Sequence, residues 1–198
     1  MSTPTLAELD AQLDAAARAG DWETAERIGA EADRLAALVV AGFNCHTAAL
    51  WYASIGLPVF PLQPGSKQPY VGSHGCKDAT TDPAQITAWW TAAPRSNVAI
   101  ATGFAVDVAD LDGADGIRSW LDLGDPPPVL GRVKTPRPGG WHYYLAATGQ
   151  GNRAHMLPGV DFRGIGGYVV APPSWLEQTP KQPYAGAYSW RQVLEVNR

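Results

Sequence analysis

One apolar run that ends in two carboxylates is the feature of this sequence that most restricts its fold. The run spans Phe104–Gly113 and reads FAVDVADLDG. Such a segment predicts a buried β-strand that opens into a turn at its terminal glycine. Side chains alternate between the two faces of a strand, so we expect Asp110 and Asp112 on one face and Asp107 on the other.

The pair Asp110 and Asp112 has two interpretations. Two residues of a strand lie about 6.6 Å apart along the backbone, close enough to share divalent ions that are ~3.5–4 Å from each other. Neighbouring carboxylates in a partly buried place repel, and metal ions, protons or a basic partner relieve that repulsion. The alternative is ordinary turn chemistry, because Asp bonds its own backbone and glycine supplies a positive φ. These four residues alone leave both interpretations open.

Length and composition indicate a globular protein with a sizeable core. The chain has 198 residues, of which 45% are hydrophobic, and it contains eight Trp and seven Tyr. This favours one domain, or one domain with a small appendage. No run of about 18 apolar residues and no signal peptide is apparent, so we expect a soluble, cytoplasmic protein without a membrane partner. Cys45 and Cys76 lack the spacing of a disulfide framework or a zinc knuckle.

The formal net charge of −4 is distributed unevenly along the chain. Residues 1–45 hold eight acidic side chains against three arginines, whereas the remainder holds twelve basic and eleven acidic side chains. Occupation of three of those later acids by metal ions would leave the surrounding surface basic. Net charge therefore does not exclude a nucleic-acid partner.

The first 45 residues predict a helical hairpin. Leucines recur at helical intervals in the first helix, Gly20 ends it, and Asp21 caps the second. The outer face of this hairpin is acidic, which suits a packing appendage or a dimerisation arm. We expect it to lie away from any nucleic-acid channel or to mask one, because acidic side chains repel a phosphate backbone.

The remaining segments mix short helices and strands in the manner of one α+β domain. Two glycine- and proline-rich loops, over residues 63–69 and 72–81, present Lys67 and Lys77. A helix is predicted from a cap at Thr81 or Asp82. Further strands are expected at 57–62, 97–102 and 129–135. A hairpin-like turn followed by a strand is expected over 135–145, and a last hairpin over 159–174.

Seven blocks of residues occur in the order that is typical of one family. They are 56–62, 64–69, 77–82, 97–103, 110–113, 139–142 and 159–174. In these blocks the chain resembles the bifunctional primase-polymerase (Prim-Pol) domain of the archaeo-eukaryotic primase superfamily, which is found in plasmid, phage and bacterial replication proteins. The resemblance covers about residues 46–190 and leaves the N-terminal hairpin outside it.

The resemblance implies an architecture. We expect an α+β catalytic domain over residues 46–198, preceded by the helical hairpin over 1–45. An RRM-like half with a mixed sheet would carry the acids, and a smaller α/β half would carry the two lysine loops.

The resemblance also implies a set of site residues. Asp110 and Asp112 match the paired acids of the family's first motif, and Asp161 matches the acid of its third. Together these three would hold two Mg²⁺ or Mn²⁺ ions. His142 matches the histidine that contacts the phosphates of the incoming nucleotide. Position 140 is Gly where the stricter Ser-x-His motif has Ser, so a backbone amide is expected to replace the lost hydroxyl.

Four basic residues complete this prediction. Arg163, Arg137, Lys67 and Lys77 are candidates to neutralise a nucleoside triphosphate. Each also has a simpler interpretation: Arg163 as the salt-bridge partner of Asp161, and the loop lysines as solvated side chains.

The expected function is template-directed DNA primase/polymerase activity. Its partners would be a single-stranded DNA template with a primer and nucleoside triphosphates, and Trp175 is a candidate for template contact. We expect a monomer, with a helicase or helical priming domain as a further partner. Two alternatives stay open: a metal-dependent nuclease or phosphodiesterase that uses the same acids, and a non-catalytic nucleic-acid-binding module for replication initiation.

Overall fold

A computed structural model describes residues 6–39 and 44–194 of the chain. The helices in these ranges are α1 Leu6–Arg18, α2 Trp22–Val39, α3 Cys45–Ser54, α4 Pro83–Ala92 and α5 Gly113–Leu121, with a 3₁₀ helix over Gly75–Asp78. The strands are β1 Val59–Leu62, β2 Asn97–Ala101, β3 Val106–Leu111, β4 Gly131–Lys134, β5 Trp141–Ala146, β6 Arg153–Leu157, β7 Val160–Arg163, β8 Tyr168–Ala171, β9 Trp175–Leu176, β10 Gly186–Ala187 and β11 Ser189–Gln192.

The strands form three sheets. The largest has the order β11-β4-β5-β3-β7-β6, a second has the order β1-β2-β8, and β9 pairs with β10. This confirms the α+β class. Every pairing between these named strands is antiparallel. Short hairpins join β4 to β5 and β6 to β7, and a short connection returns the chain antiparallel.

Strand β3 separates two layers of the hydrophobic core. Ala109 and Leu111 face a cluster that includes Trp120 of α5 and Leu13 of α1. Val106 and Val108 face a second cluster, built from the three-stranded sheet and α3. Asp110 alternates with the first pair, so it lies on the second face.

Asp107 lies within β3 on the face opposite Asp110, as the alternation predicted. It is fully buried, and one of its carboxylate oxygens accepts two hydrogen bonds from Thr148, from the backbone N–H and from the hydroxyl, each at 2.7 Å. These bonds stabilise the buried charge and identify Asp107 as a structural acid.

The predicted helix starts are confirmed where the structure describes them. The Asp82 carboxylate accepts a bond from the Ala84 amide at 2.9 Å, with Pro83 at the first helical position. The Asp21 carboxylate likewise accepts from the Thr24 amide at 3.1 Å. Each cap satisfies an amide that has no partner within its own helix.

The α1–α2 hairpin covers the face of the six-stranded sheet that is opposite Asp110. Arg132 of β4 forms an ion pair with Asp14 at 2.7 Å and lies 5.1 Å from the centre of the Tyr143 ring. Arg191 of β11 donates to the Gly29 carbonyl at 3.3 Å. The hairpin therefore lies on the side of the sheet away from the carboxylates.

Asp10 is an ionisable group buried where this hairpin meets the sheet, with 8% of its surface exposed. Burial raises the pKa of its carboxyl from 3.8 to about 6, and the charges of Arg191 and Arg132 oppose that rise. A carboxyl whose pKa rises on folding destabilises the protein once it is ionised.

Among the described helices, none has the length and apolar character that crossing a bilayer requires.

Asp10→Asn should stabilise the protein at neutral pH. The folded state binds the Asp10 proton more tightly than the unfolded state, so wild-type stability should fall as pH rises from about 4 to 6 and stay low above that range. One pKa unit corresponds to about 1.4 kcal/mol, which gives an upper limit of about 3 kcal/mol for the gain. Urea unfolding at about pH 4 and about pH 7.5 measures this dependence.

The matched control is Asp14→Asn, which removes the ion-pair partner of Arg132. This variant should be less stable than wild type at both pH values. A gain in stability at neutral pH in the Asp14 variant would contradict the conclusion that ionised Asp10 destabilises the folded protein. The absence of such a gain in the Asp10 variant would contradict it as well.

Candidate active site

Three predicted site residues form a row across the largest sheet. Asp110 of β3 lies directly opposite His142 of β5 on one side and Asp161 of β7 on the other. Neighbouring strands are about 4.8 Å apart, and directly opposite residues point to the same face. The structure thus brings Asp161 next to Asp110, although 50 residues separate them in sequence.

Asp112 joins this row from the end of β3. It occupies the N-cap position of α5, although its side chain makes no capping bond. Burial raises the pKa of the Asp112 carboxyl, as do the charges of Asp110 and Asp161, against the opposing charges of Arg137 and Lys67. The three carboxylates therefore lie within electrostatic reach of one another.

A close approach between α5 and β7 fixes the position of Asp112. A Cβ on Gly116 would lie 2.3 Å from the Gly159 carbonyl oxygen, so only glycine allows this contact. The same carbonyl accepts the Asp112 amide at 2.7 Å. Gly159 has a φ of +68°, a conformation that glycine adopts without steric cost.

Two arginines neutralise the acids. A single nitrogen of Arg163 lies 2.8 Å from Asp161 Oδ2 and 3.4 Å from Asp110 Oδ2. Arg137 contacts Asp112 Oδ1 at 2.7 Å. Both predicted arginines are thus in the site, and each stands where a cation is needed to offset carboxylate repulsion.

His142 is almost completely buried beside Asp110. Its Nε2 lies 3.6 Å from Asp110 Oδ1, which is too long for a direct hydrogen bond. Burial lowers the pKa of His142 to about 4, so the imidazole is neutral at physiological pH. Its Nδ1 is buried without a hydrogen-bond partner among the described residues. A buried polar atom without a partner indicates a place for a water molecule or a ligand.

The two lysines differ in their relation to the acids. The charge of Lys67 helps to lower the pKa of both His142 and Asp112, after the larger effects of burial, so its ammonium lies near the site. That ammonium is 5.6 Å from the centre of the Tyr184 ring. Lys77 is exposed on the 3₁₀ helix, and nothing in residues 44–194 joins its side chain to the carboxylates.

His155 is a residue at the site that the sequence did not reveal. Its backbone N–H donates to Asp161 Oδ1 at 2.8 Å, and its ring Nδ1 lies 3.9 Å from the same oxygen. The register of β6 on β7 shifts between Arg153 and Leu157, and within that shift His155 has a φ of +50°. A bulge with a strained residue beside a candidate site is typical of a functional feature.

Tyr188 is a second residue that the sequence did not single out. It is buried, and its ring centre lies 5.5 Å from that of His142. Burial raises the pKa of its hydroxyl, and the charges of Asp110 and Asp112 add to that rise. Tyr188 therefore covers one side of His142, with its hydroxyl within electrostatic reach of the acids.

The backbone amide of Gly140 itself is not free to replace the hydroxyl that the stricter motif carries. The Gly140 N–H donates to the Arg137 carbonyl at 2.9 Å, so it is already bonded within the turn. A Cβ at this position would lie 2.3 Å from the Thr135 hydroxyl oxygen. The Thr135 hydroxyl therefore occupies part of the space that a side chain at position 140 would fill.

The carboxylates suit a hard divalent cation, although they do not form a finished cage. In residues 6–39 and 44–194, no group of three or more His, Cys, Asp or Glu side chains is arranged to hold a metal ion. The oxygens of Asp110, Asp112 and Asp161 are the ligand type that Mg²⁺ and Mn²⁺ prefer. Two of these acids share Arg163 and the third pairs with Arg137, so bound ions would compete with these guanidinium groups for carboxylate oxygens.

Comparison with known families matches most of the chain to one family. Residues 49–197 match the family model described as "Bifunctional DNA primase/polymerase, N-terminal", which is about three quarters of the chain. The matched range contains all the site residues and begins after the α1–α2 hairpin. No curated protein matches the chain. The chain therefore belongs to the Prim-Pol family of DNA primase/polymerase domains.

Proposed function

We propose that this protein is a template-directed nucleotidyltransferase that extends a DNA primer from nucleoside triphosphates. The observation that carries the proposal is the row of His142, Asp110 and Asp161 across three strands, with Asp112 beside it. In the reaction, the primer 3′-oxygen forms a bond to the α-phosphorus, and the bond to pyrophosphate breaks. Family membership supports this class of chemistry.

Asp110, Asp112 and Asp161 are proposed to hold two Mg²⁺ or Mn²⁺ ions. Such ions, when bound, lower the pKa of the attacking hydroxyl and stabilise charge on the leaving pyrophosphate. Asp161 offers one oxygen for this role, because its Oδ1 already accepts the His155 amide. Its Oδ2 becomes available when Arg163 moves away.

In this proposal, Arg163 and Arg137 change partners when ions bind. Without ions, Arg163 and Arg137 neutralise the acids. Once the acids hold cations, both guanidinium groups are available to a triphosphate, whose oxygens match their planar geometry. Lys67 adds a third positive charge on the same side of the sheet.

His142 is proposed to donate a hydrogen bond to a phosphate oxygen. A neutral imidazole carries one N–H and one acceptor nitrogen. The buried ring is held between Asp110 and Tyr188, so its orientation is fixed before a ligand arrives. A donor that is already oriented loses little conformational entropy on binding.

The template is proposed to pass over the face of the sheet that carries the acids. The α1–α2 hairpin covers the other face through Arg132 and Arg191. Trp175 is 54% exposed, whereas Trp90, Trp120 and Trp141 are buried. Trp175 is therefore the candidate for stacking with a template base.

Removal of any one acid should abolish synthesis. Asp110→Asn, Asp112→Asn and Asp161→Asn should each slow primer extension about a thousandfold or more, which corresponds to ~4 kcal/mol of lost transition-state stabilisation. The assay is extension of a primer on single-stranded DNA with deoxynucleoside triphosphates and Mn²⁺. Degradation of the strand would instead assign a nuclease, and retardation without synthesis a binding module.

Asp115→Asn is the matched control for these three variants. Asp115 is an exposed acid in the first turn of α5, paired with Arg118 at 3.5 Å. It should extend primers at the wild-type rate. Near-normal synthesis by the Asp110 or Asp112 variant would defeat the proposed roles of these residues.

His142→Ala should chiefly weaken nucleotide binding. Loss of a hydrogen bond to a charged group costs about ten- to a hundredfold in affinity, so we expect a higher KM for the nucleotide with a smaller change in kcat. The steady-state dependence of extension on nucleotide concentration measures both. His74→Ala, at an exposed ion pair with Asp78, should leave both constants unchanged; an equal effect of the two substitutions would refute this role.

The backbone at His155, rather than its ring, should control the orientation of Asp161. His155→Gly keeps the N–H and tolerates the positive φ, so it should bind Mn²⁺ and extend primers like wild type. His155→Val disfavours that φ and should weaken Mn²⁺ binding about tenfold or more, as for other residues that orient metal ligands. Titration of Mn²⁺ by electron paramagnetic resonance measures the affinity. Equal losses in both variants would show that the ring matters instead.

A further inference from the structure

Two exposed apolar side chains lie on adjoining turns at one end of strands β3 and β7. Phe104, which is 66% exposed, precedes β3, and Ile165, which is 52% exposed, follows β7. A Cβ on Gly103 would lie 2.3 Å from Ile165 Cα, so the two turns are in direct contact. A single exposed apolar residue is ordinary, whereas neighbouring ones indicate an interaction surface. We refer to Phe104 and Ile165 as the apolar patch.

Hydrogen bonds fix both turns of the apolar patch. The Thr102 amide donates to the Gly167 carbonyl at 3.0 Å, and the Thr102 hydroxyl donates to the Gly164 carbonyl at 2.7 Å. The Ile165 amide donates to the Gln150 carbonyl at 2.7 Å. An ordered backbone therefore presents both apolar side chains, so arranging them for a partner costs little conformational entropy.

Two basic side chains border the apolar patch. Arg153 is exposed and donates to the side-chain oxygen of Gln150 at 3.4 Å, and the carbonyl of this same Gln150 accepts an amide of the patch. In addition, the Cys76 thiol donates to the Gly166 carbonyl at 3.3 Å, and the exposed Lys77 follows Cys76. A partner on the patch would thus meet two positive charges.

The segments that contain the patch and its basic neighbours carry an excess of positive charge. Residues 66–77, 98–106 and 146–168 include four Lys or Arg residues, and their one acidic residue is Asp161 of the active site. Exposed apolar groups beside positive charge match single-stranded nucleic acid, whose bases stack on aromatic rings and whose phosphates attract cations. A duplex suits the patch less well, because its bases are stacked on one another.

The patch is distinct from Trp175, the other candidate for contact with a base. The Trp175 amide donates to Asn97 Oδ1 at 3.1 Å, at the first residue of β2, whereas Phe104 comes after the end of that strand. Along the chain from β7, Ile165 lies four residues beyond Asp161, which is about 13 Å at ~3.3 Å per residue. A strand of stacked nucleotides covers that distance in about four steps of ~3.4 Å. Nucleic acid bound at the acids is therefore within reach of the patch.

We propose that the apolar patch binds single-stranded DNA about four nucleotides from the reacting end, with Phe104 stacking on a base and with Lys77 and Arg153 contacting phosphates. This inference rests on the proposed function, because it assigns a binding surface to the DNA substrate of that reaction. It also gives a role to Lys77, which lies on the 3₁₀ helix rather than among the acids.

Two substitutions of Phe104 separate stacking from apolar character. Phe104→Tyr keeps an aromatic ring, whereas Phe104→Leu keeps an apolar side chain without one. Fluorescence anisotropy of a labelled single-stranded oligothymidylate, without nucleotide or metal ion, measures binding independently of synthesis. We expect Phe104→Leu to bind about tenfold more weakly and Phe104→Tyr to bind within about twofold of wild type. Both variants should keep the wild-type thermal midpoint, because the side chain is mostly exposed.

Lys77→Gln should reduce the salt dependence of the same binding reaction. Loss of one phosphate contact lowers the slope of log affinity against log salt concentration by about one. Arg118→Gln is the matched control, because Arg118 is exposed on α5, which packs on the opposite face of the large sheet. This control should keep the wild-type slope. A wild-type slope in Lys77→Gln would overturn the assignment of Lys77 to a phosphate.

Self-association through the patch is the alternative that these variants also test. A wild-type dimer that dissociates in Phe104→Leu, with DNA affinity unchanged, would assign the patch to a second copy of this chain and overturn the proposal. Sedimentation velocity of the two proteins measures this. Wild-type DNA affinity in Phe104→Leu overturns the proposal in any case, as does an equal loss of affinity in Phe104→Tyr.

Failure of the inference and failure of the proposed function give different results. Normal primer extension, with oligothymidylate binding that does not depend on Phe104, would overturn the inference and leave the function standing. Phe104-dependent binding without any primer extension would overturn the function and support the binding surface. A wild-type protein that binds no single-stranded DNA would overturn both.

Discussion

Repulsion among three carboxylates is the constraint around which this molecule is arranged. Asp110 and Asp161 are neighbours because β3 pairs with β7, and Asp112 is added where β3 ends at the start of α5. A cluster of like charges in a half-buried place is unstable unless cations accompany it. The fold supplies them as arginines from two different hairpins, Arg163 and Arg137. The same requirement explains why the site would accept divalent ions.

Much of the fold and part of the site follow from local patterns in the sequence. The alternation of the Phe104–Gly113 run correctly separated Asp107 from Asp110. Caps at Asp21 and Asp82 follow from the preference of Asp for an amide at a helix start. The pairing of Asp110 with Asp161 was expected from the order of the family's blocks, because no local pattern reports which strands become neighbours.

The remaining features depend on tertiary geometry that one sequence does not display. The bulge at His155 arises from how β6 pairs with β7, and the residue type there gives no sign of it. The bond that occupies the Gly140 amide depends on the shape of the turn after β4. Tyr188 reaches His142 only because β11 joins the far edge of the largest sheet.

The two faces of strand β4 contact different parts of the molecule. Arg132 points backward to the helical hairpin, while Val133, next in the chain, points forward and lies against the histidine of the site. A pleated strand is stiff across its width, so anchoring its rear side chains limits how far its front side chains can shift. The α1–α2 hairpin lies outside the residues that match the family. Because it binds the back of the sheet, it limits the movement of the opposite face, on which a nucleotide would bind.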